Sequence, residues 1–263
     1  MIPCNYHTHT RFCDGKNTPE ELVQEAIRLG CAQLGFSGHS YTFFDTSYCM
    51  TEAGTQAYIA EVRSLKEKYA GQIQIYLGVE QDYHSDVPTD PYEYVIGSVH
   101  YVKKDGCYLP VDENRQMQLD HVDRFYGGDF YGFVEDYYAT VADVYRKTGC
   151  QIIGHFDLIT KFNGAGDLFD PMHPRYRAAA DKALEALLAA PVTLEVNTAM
   201  VVRGWHKDPY PDRHILSRWL TAGKPVIFSS DCHDAANLLA GHDTYETYLE
   251  DCRKASAAVR QSS

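Results

Sequence analysis

The sequence predicts an α/β fold: seven parallel strands alternating with helices and curled into a closed or nearly closed barrel. Three observations carry this. Short apolar runs alternate with amphipathic stretches, with no linker or low-complexity break between them, and such alternation implies parallel strands. The 263 residues suit one barrel domain of about 250 residues, so a single domain over residues 1–263 is expected. Imidazoles and carboxylates recur just after the apolar runs, where barrels of this class gather their active sites.

The elements follow in order. Met1-Ile2-Pro3-Cys4 is an apolar lead-in, read as the first strand, that runs into His7-Thr8-His9. Alternate residues of a strand share a side, so His7 and His9 aim two imidazoles at one point, and neutral imidazole is a common metal ligand. Thr18-Pro19-Glu20-Glu21 starts a helix, with a capping Thr, Pro at the first helical position and Glu closing a capping box. Leu22, Val23, Ala26 and Ile27 form its apolar stripe and Gly30 ends it. A strand at 32–37 leads to His39. A helix at 51–69 puts Tyr58, Ile59, Val62, Leu65 and Tyr69 on one face. Strands at 73–79 and 94–99 deliver Glu80 and His100. Residues 101–132 show no clear period and read as a long loop with one helix near 115–126. Phe133, Tyr137, Val141, Val144 and Tyr145 restore helical spacing, and Gly149 stops it. A strand at 151–154 delivers His155. A helix at 175–190 and a strand at 192–196 follow, the strand delivering Asn197. Pro211-Asp212 opens a helix that Gly223 closes. A strand at 225–230 delivers Asp231 and His233, and helices near 234–240 and 243–258 complete the chain.

Composition excludes several functions. The formal net charge is -12, which disfavours nucleic acid or an anionic membrane as the main partner. A small phosphorylated substrate remains compatible, because bound cations overturn the local sign. No stretch reaches the ~18 apolar residues of a membrane span, and no targeting segment is legible. The eight cysteines are irregularly spaced and form no Cys-x-x-Cys, which fits free thiols in the cytoplasm.

The ordered motifs are His-x-His (7–9), Ser-Gly-His-Ser (37–40), Gly-x-Glu (78–80), Gly-Ser-Val-His (97–100), Gly-His-x-Asp (154–157) and Ser-Asp-x-His (230–233). Together they resemble the polymerase-and-histidinol-phosphatase (PHP) superfamily over nearly the whole chain. Asp14-Gly15, Gly-Ser-Val-His-Tyr (97–101), Gly-His-Phe-Asp-Leu-Ile-x-Lys (154–161) and Glu195-x-Asn197-Thr198 are most similar to its monofunctional histidinol-phosphatases. The resemblance implies a distorted seven-stranded TIM-like barrel, the PHP fold, holding three divalent metal ions. It implies His7, His9, Glu80 and Asp231 around one ion, with Glu80 bridging to a second held by His100 and His155. Asp14, His39 and His233 would hold the third; many members carry His where this chain has Asp14. The implied activity is hydrolysis of L-histidinol phosphate in histidine biosynthesis, with Glu80, Asp231 and His233 in catalytic roles. The alternative is a phosphoesterase of the same superfamily acting on another small ester, a nucleotide or a phosphoprotein.

Such a mixed imidazole–carboxylate set suits Zn, Fe or Mn. A carboxylate bridging two ions brings them to ~3.5–4 Å, and a water between them becomes a hydroxide nucleophile near neutral pH. Lys161 and Arg203, on predicted rim loops, are candidate substrate contacts. Asp157 and Glu195 each read either as partners that orient a ligand or as ordinary strand-end and core acids. Cys232, between two ligands, is expected to point to the opposite side as a packed thiol. The organic half of the substrate would find acidic and aromatic contacts at Asp45, Phe43, Phe44 or the Tyr-rich 101–138 region.

Overall fold

The computed structural model describes residues 4–261, with side chains described as far as residue 257. Its strands are β1 (Gln33–Phe36), β2 (Gln74–Asp82), β3 (Tyr94–Ser98), β4 (Tyr101–Lys104), β5 (Cys107–Pro110), β6 (Ile152–Ile153), β7 (Thr193–Asn197) and β8 (Val226–Ser229). Six of them form one parallel sheet in the order β1-β2-β3-β6-β7-β8, and β4 pairs antiparallel with β5 as a separate hairpin. The helices are α1 (Pro19–Arg28), α2 (Glu52–Lys68), α3 (Arg115–Tyr126), α4 (Phe130–Thr148), α5 (Pro174–Leu188), α6 (Ala199–Val202), α7 (Arg213–Thr221) and α8 (His242–Gln261). No described helix is long and apolar enough to cross a membrane.

Local chemistry accounts for most boundaries. The capping box of α1 is formed: the Thr18 side chain accepts from the Glu21 amide and the Glu21 carboxylate accepts from the Thr18 amide. Helices α3 and α4 both end on left-handed glycines, Gly127 and Gly149. Helix α4 buries Phe133, Val134, Tyr137, Tyr138, Val141 and Val144.

Three expectations are corrected. The parallel sheet has six strands among the described residues, not seven. Met1–Pro3, the start of the expected first strand, lie outside the described residues. Residues 5–9 form no regular ladder, only isolated parallel bridges, Asn5 with Leu34 on one edge of the sheet and Thr8 with Cys232 on the other. The Asn5 and Thr8 carbonyls accept from Gly35 and Ser37 at 2.9 and 3.0 Å, while the His9 amide donates to the Cys232 carbonyl at 2.8 Å. Side chains take further amides: His7 N–H donates to Asn5 Oδ1 and Thr8 N–H to Ser37 Oγ, both at 3.0 Å. The stretch therefore links the first and last strands and curls the sheet without being a strand itself. Second, the expected loop at 101–132 contains the β4–β5 hairpin ahead of α3, which stands where a helix near 115–126 is expected. Asp105 and Gly106, at φ 49° and 80°, form the two-residue turn for which Asp-Gly is a recognised signal. Third, the helix expected near 234–240 is a short 3-10 turn, Ala235–Asn237, capped by the Asp234 carboxylate.

One packing feature supports the linking stretch. Tyr94 lies across the sheet with its hydroxyl donating to the carbonyls of Tyr6 (2.5 Å) and Phe36 (2.9 Å). A Cβ on Gly78 would sit 2.3 Å from the Tyr94 ring. Gly78→Ala is therefore expected to cost about 1–3 kcal/mol through overpacking. The check is the urea midpoint, which should fall at unchanged m-value; an unmoved midpoint would show that Tyr94 can shift freely.

Candidate metal centre

The C-terminal ends of the strands converge on Glu80, buried near the end of β2. Its Oε2 lies 3.1 Å from His7 Nε2, 3.5 Å from His9 Nε2 and 2.9 Å from His39 Nδ1. Its Oε1 lies 2.9 Å from His155 Nε2 and 3.4 Å from His100 Nε2. One carboxylate thus faces two groups of imidazoles. Asp231 Oδ1 is 3.1 Å from His9 Nε2, 3.5 Å from His7 Nε2 and 3.6 Å from His233 Nδ1. Asp231 adopts a left-handed φ of 49°, strain that a non-glycine residue tolerates when its surroundings over-determine it. Asp14 faces His233 Nε2 at 3.2 Å, His39 Nε2 at 3.6 Å and His9 Nδ1 at 3.8 Å. Every residue expected as a ligand is therefore brought into one cluster.

A second layer of carboxylates orients the rings. Glu195 Oε2 accepts from His7 Nδ1 at 2.6 Å, and its Oε1 accepts from the His155 amide (2.7 Å) and Asn197 Nδ2 (2.9 Å). Asp82 Oδ2 lies 3.2 Å from both the amide and Nδ1 of His100. The His233 Nδ1–H donates to the Asp231 carbonyl at 2.9 Å. Such partners fix which ring nitrogen is free to ligate. This resolves Glu195 as an orienting acid. Asp157 turns elsewhere, accepting the Asp212 amide at 2.8 Å. Cys232 points away from the cluster and donates to the Asp234 carbonyl.

The electrostatics match a ligand set. Burial raises the Glu80 carboxyl, but His7, His39 and His100 outweigh it and hold the group well below the carboxylate range. Burial opposes charge on His7, yet Glu195, Asp231 and Glu80 push it well above the usual imidazole value. His9 goes the other way, to about 3, through burial and repulsion from His233 and His39. The buried atoms His7 Nε2, His9 Nε2 and Glu80 Oε2 make no hydrogen bond, although Glu80 Oε2 lies 3.1 and 3.5 Å from the two imidazole nitrogens. Their lone pairs converge on a common point, and this donor set fits divalent cations.

A pH dependence follows from the signs. In chelated protein the pKa values of His7, His39, His100 and His233 are all raised; burial opposes their charge and neighbouring carboxylates overcome it. A raised imidazole contributes stability that is complete below the unfolded value of about 6.5 and is lost as pH rises through the folded values. His9, depressed, has given its full contribution above that point. Bound cations replace the protons, so the difference in melting temperature between metal-loaded and chelated protein should widen from pH 6 to pH 9. A constant difference would contradict this account.

Above the cluster lies a cavity of 320 Å³ lined by Asp14, His39, Glu80, His100, His155, Asp231 and His233 on one side. Tyr48, Tyr101, Pro110, Asp112, Glu113, Leu158, Lys161, Ala199, Met200, Arg203 and Tyr210 complete it. Both expected cations reach it. Lys161 Nζ pairs with Asp112 Oδ2 at 3.0 Å, and Arg203, exposed on the residue after α6, has no ion pair among the described residues. Asp45, Phe43 and Phe44 do not line the cavity. Asp45 accepts from the Tyr101 hydroxyl at 2.8 Å, and Phe44 stacks on Tyr108 at 3.7 Å. The expected 101–138 region does line the cavity, through Tyr101, Pro110, Asp112 and Glu113, although sequence reasoning singled out none of these, and it missed Asp82, Tyr48 and Tyr210. Only Asp82 left a readable signal, two residues beyond Glu80 in the same strand and hence on the same side.

Comparison with known proteins agrees with this geometry. A family model described as the PHP domain matches residues 5–199. A Deinococcus radiodurans protein named "probable histidinol-phosphatase" is 29% identical over 244 residues, covering 88% of this chain and 86% of that one. The histidinol-phosphatase of Bacillus subtilis is 27% identical over 270 residues, covering 94% and 98%. A solved structure from Lactococcus lactis, histidinol phosphate phosphatase complexed with zinc, L-histidinol and phosphate, superposes with a TM-score of 0.69 at 18% identity, covering 95% of this chain and 94% of that one.

Proposed function

From the premise that this chain belongs to the PHP domain family, we propose that it is a metal-dependent phosphomonoesterase hydrolysing L-histidinol phosphate to L-histidinol and phosphate. The observation that carries the reading is Glu80, whose two oxygens face separate imidazole groups on the floor of the cavity. Relatives across nearly the full length bear the same named activity.

Three divalent ions would complete the site: His7, His9, Glu80 and Asp231 would hold one, Glu80, His100 and His155 a second, and Asp14, His39 and His233 a third. Zinc is favoured by the Lactococcus complex, with iron and manganese suited to the same donors. When bound, such ions neutralise charge on phosphoryl oxygens and make water a nucleophile near neutral pH. The chain's own groups do the rest. Glu195 and Asp82 hold His7 and His100 in orientation. Arg203 offers an unpaired guanidinium suited to a phosphoryl group, and Lys161 offers an ammonium held ready by Asp112. The whole chain acts as one domain, and residues 5–9 serve as the seventh stave closing the barrel. The free thiols of all eight cysteines suit the cytoplasm.

The test is phosphate release from metal-loaded protein over histidinol phosphate, nucleoside monophosphates and a phosphotyrosine peptide. Histidinol phosphate should lead in kcat/KM; weak, flat activity across the panel would sink the assignment.

A further inference from the structure

The cavity holds more negative charge than cleavage of a phosphoryl group requires. Beyond the carboxylates of the cluster it is lined by Asp112 and Glu113. Asp112 gives its Oδ2 to Lys161, which leaves Oδ1 available to a ligand. Glu113 is exposed and has no hydrogen bond or ion pair among the described residues. An unpaired carboxylate beside a phosphate dianion repels it and weakens binding of an ester that carries no other charge. The arrangement becomes favourable only when the substrate also carries a cation, and the same carboxylate then rejects esters lacking one.

Topology draws the two signs from different segments of the chain. The sheet runs β3-β6-β7. Asp112 and Glu113 follow the β4–β5 hairpin, inserted after β3, whereas Lys161 follows β6 and Arg203 follows β7. The acidic groups therefore come from the insertion and the basic ones from the loops after β6 and β7, and the two sets meet at the Asp112–Lys161 pair. Tyr101 and Pro110, paired across the base of the hairpin, line the same cavity and give its acidic end a flat apolar surface. The metal-binding groups come from the sheet ends, while this recognition surface comes from the insertion.

We propose that Glu113, together with Asp112, binds the positively charged end of the substrate and sets a preference for cationic phosphomonoesters over uncharged ones. This rests on the reading that the cavity hydrolyses histidinol phosphate. Glu113 is a specificity residue here, and its exposure makes substitution compatible with folding.

The experiment measures kcat/KM of the metal-loaded wild type, Glu113→Gln, Glu113→Lys, Glu113→Asp and Asp112→Asn on histidinol phosphate and on p-nitrophenyl phosphate. Metal content and melting temperature of each variant serve as the folding control. The ratio of the two kcat/KM values should fall about tenfold in Glu113→Gln, as expected for loss of a charge-assisted contact, mainly through KM. It should fall further in Glu113→Lys, recover in Glu113→Asp, and fall in Asp112→Asn. A wild-type ratio near one overturns the histidinol-phosphate reading and this inference with it. A high wild-type ratio that persists in Glu113→Lys overturns this inference alone.

Discussion

Glu80→Gln is expected to lower kcat by about 10³-fold, the scale on which loss of one preorganised electrostatic group is felt, and to leave the protein short of bound metal. The argument is geometric. Glu80 is buried, and both oxygens lie within 3.5 Å of imidazole nitrogens from the linking stretch, the loop after β1, β3 and β6. An amide has the same shape but replaces one oxygen with N–H groups, which cannot ligate and which face lone pairs only where the imidazoles are neutral. The negative charge that offsets two cations is also lost. Metal analysis and phosphate release on the same preparation provide the check. Full activity in the variant would refute the bridging role. Normal metal content with lost activity would confine the carboxylate to the chemical step.

Glu195→Ala is expected to have the largest effect on stability. The carboxylate accepts from His7 Nδ1, the His155 amide and Asn197 Nδ2 while fully buried. Burial raises its pKa, but His7 outweighs this and holds it below the carboxylate range, so it is charged. Removing one partner of such a buried pair costs about 3–5 kcal/mol, which for a chain of this size lowers Tm by about 10 °C. Glu195→Gln separates the two roles. It keeps the shape and loses the charge that supports His7, so metal affinity should fall about 10–100-fold with a smaller change in the stability of chelated protein. If both variants bind metal as the wild type does, Glu195 is a packing residue and its contact with His7 is incidental.

Most of the metal cluster was legible because its signals are local. A ligand placed just after an apolar run needs only the run to be a strand and the strand to be parallel; His39, Glu80, His100, His155, Asp231 and His233 all met that condition, and His7 and His9 were legible from their two-residue spacing. Asp14 was not legible in this way, since it lies on a turn whose return to the cluster depends on Gly15. A Cβ there would sit 2.5 Å from the His9 carbonyl carbon. The motif resemblance, not periodicity, identified it. The seventh strand was expected over Met1–Cys4, of which Met1–Pro3 lie outside the described residues, and hydrophobicity does not reveal where the backbone hydrogen bonds of the stretch that follows go. Those of residues 5–9 are divided between Gly35 and Ser37 on one side and Cys232 on the other.

Asp82 and Asp157 show the boundary between the two kinds of information. Each follows a cluster residue by two positions, Glu80 and His155. The sequence by itself determined that carboxylates stand at these offsets, and that a rim of candidate metal ligands precedes them. Tertiary structure decided what each does. The backbone of β2 stays extended through Asp82, so strand alternation keeps its carboxylate on the side of Glu80 and against His100. After His155 the chain leaves the two-residue β6 and turns at Asp157, φ -116° and ψ 37°, into a 3-10 helix. That rotation swings the Asp157 carboxylate to the start of α7, where it accepts the Asp212 amide. The direction of a side chain depends on how far the strand continues, and that is set by the neighbouring strands and loops rather than by the two residues themselves.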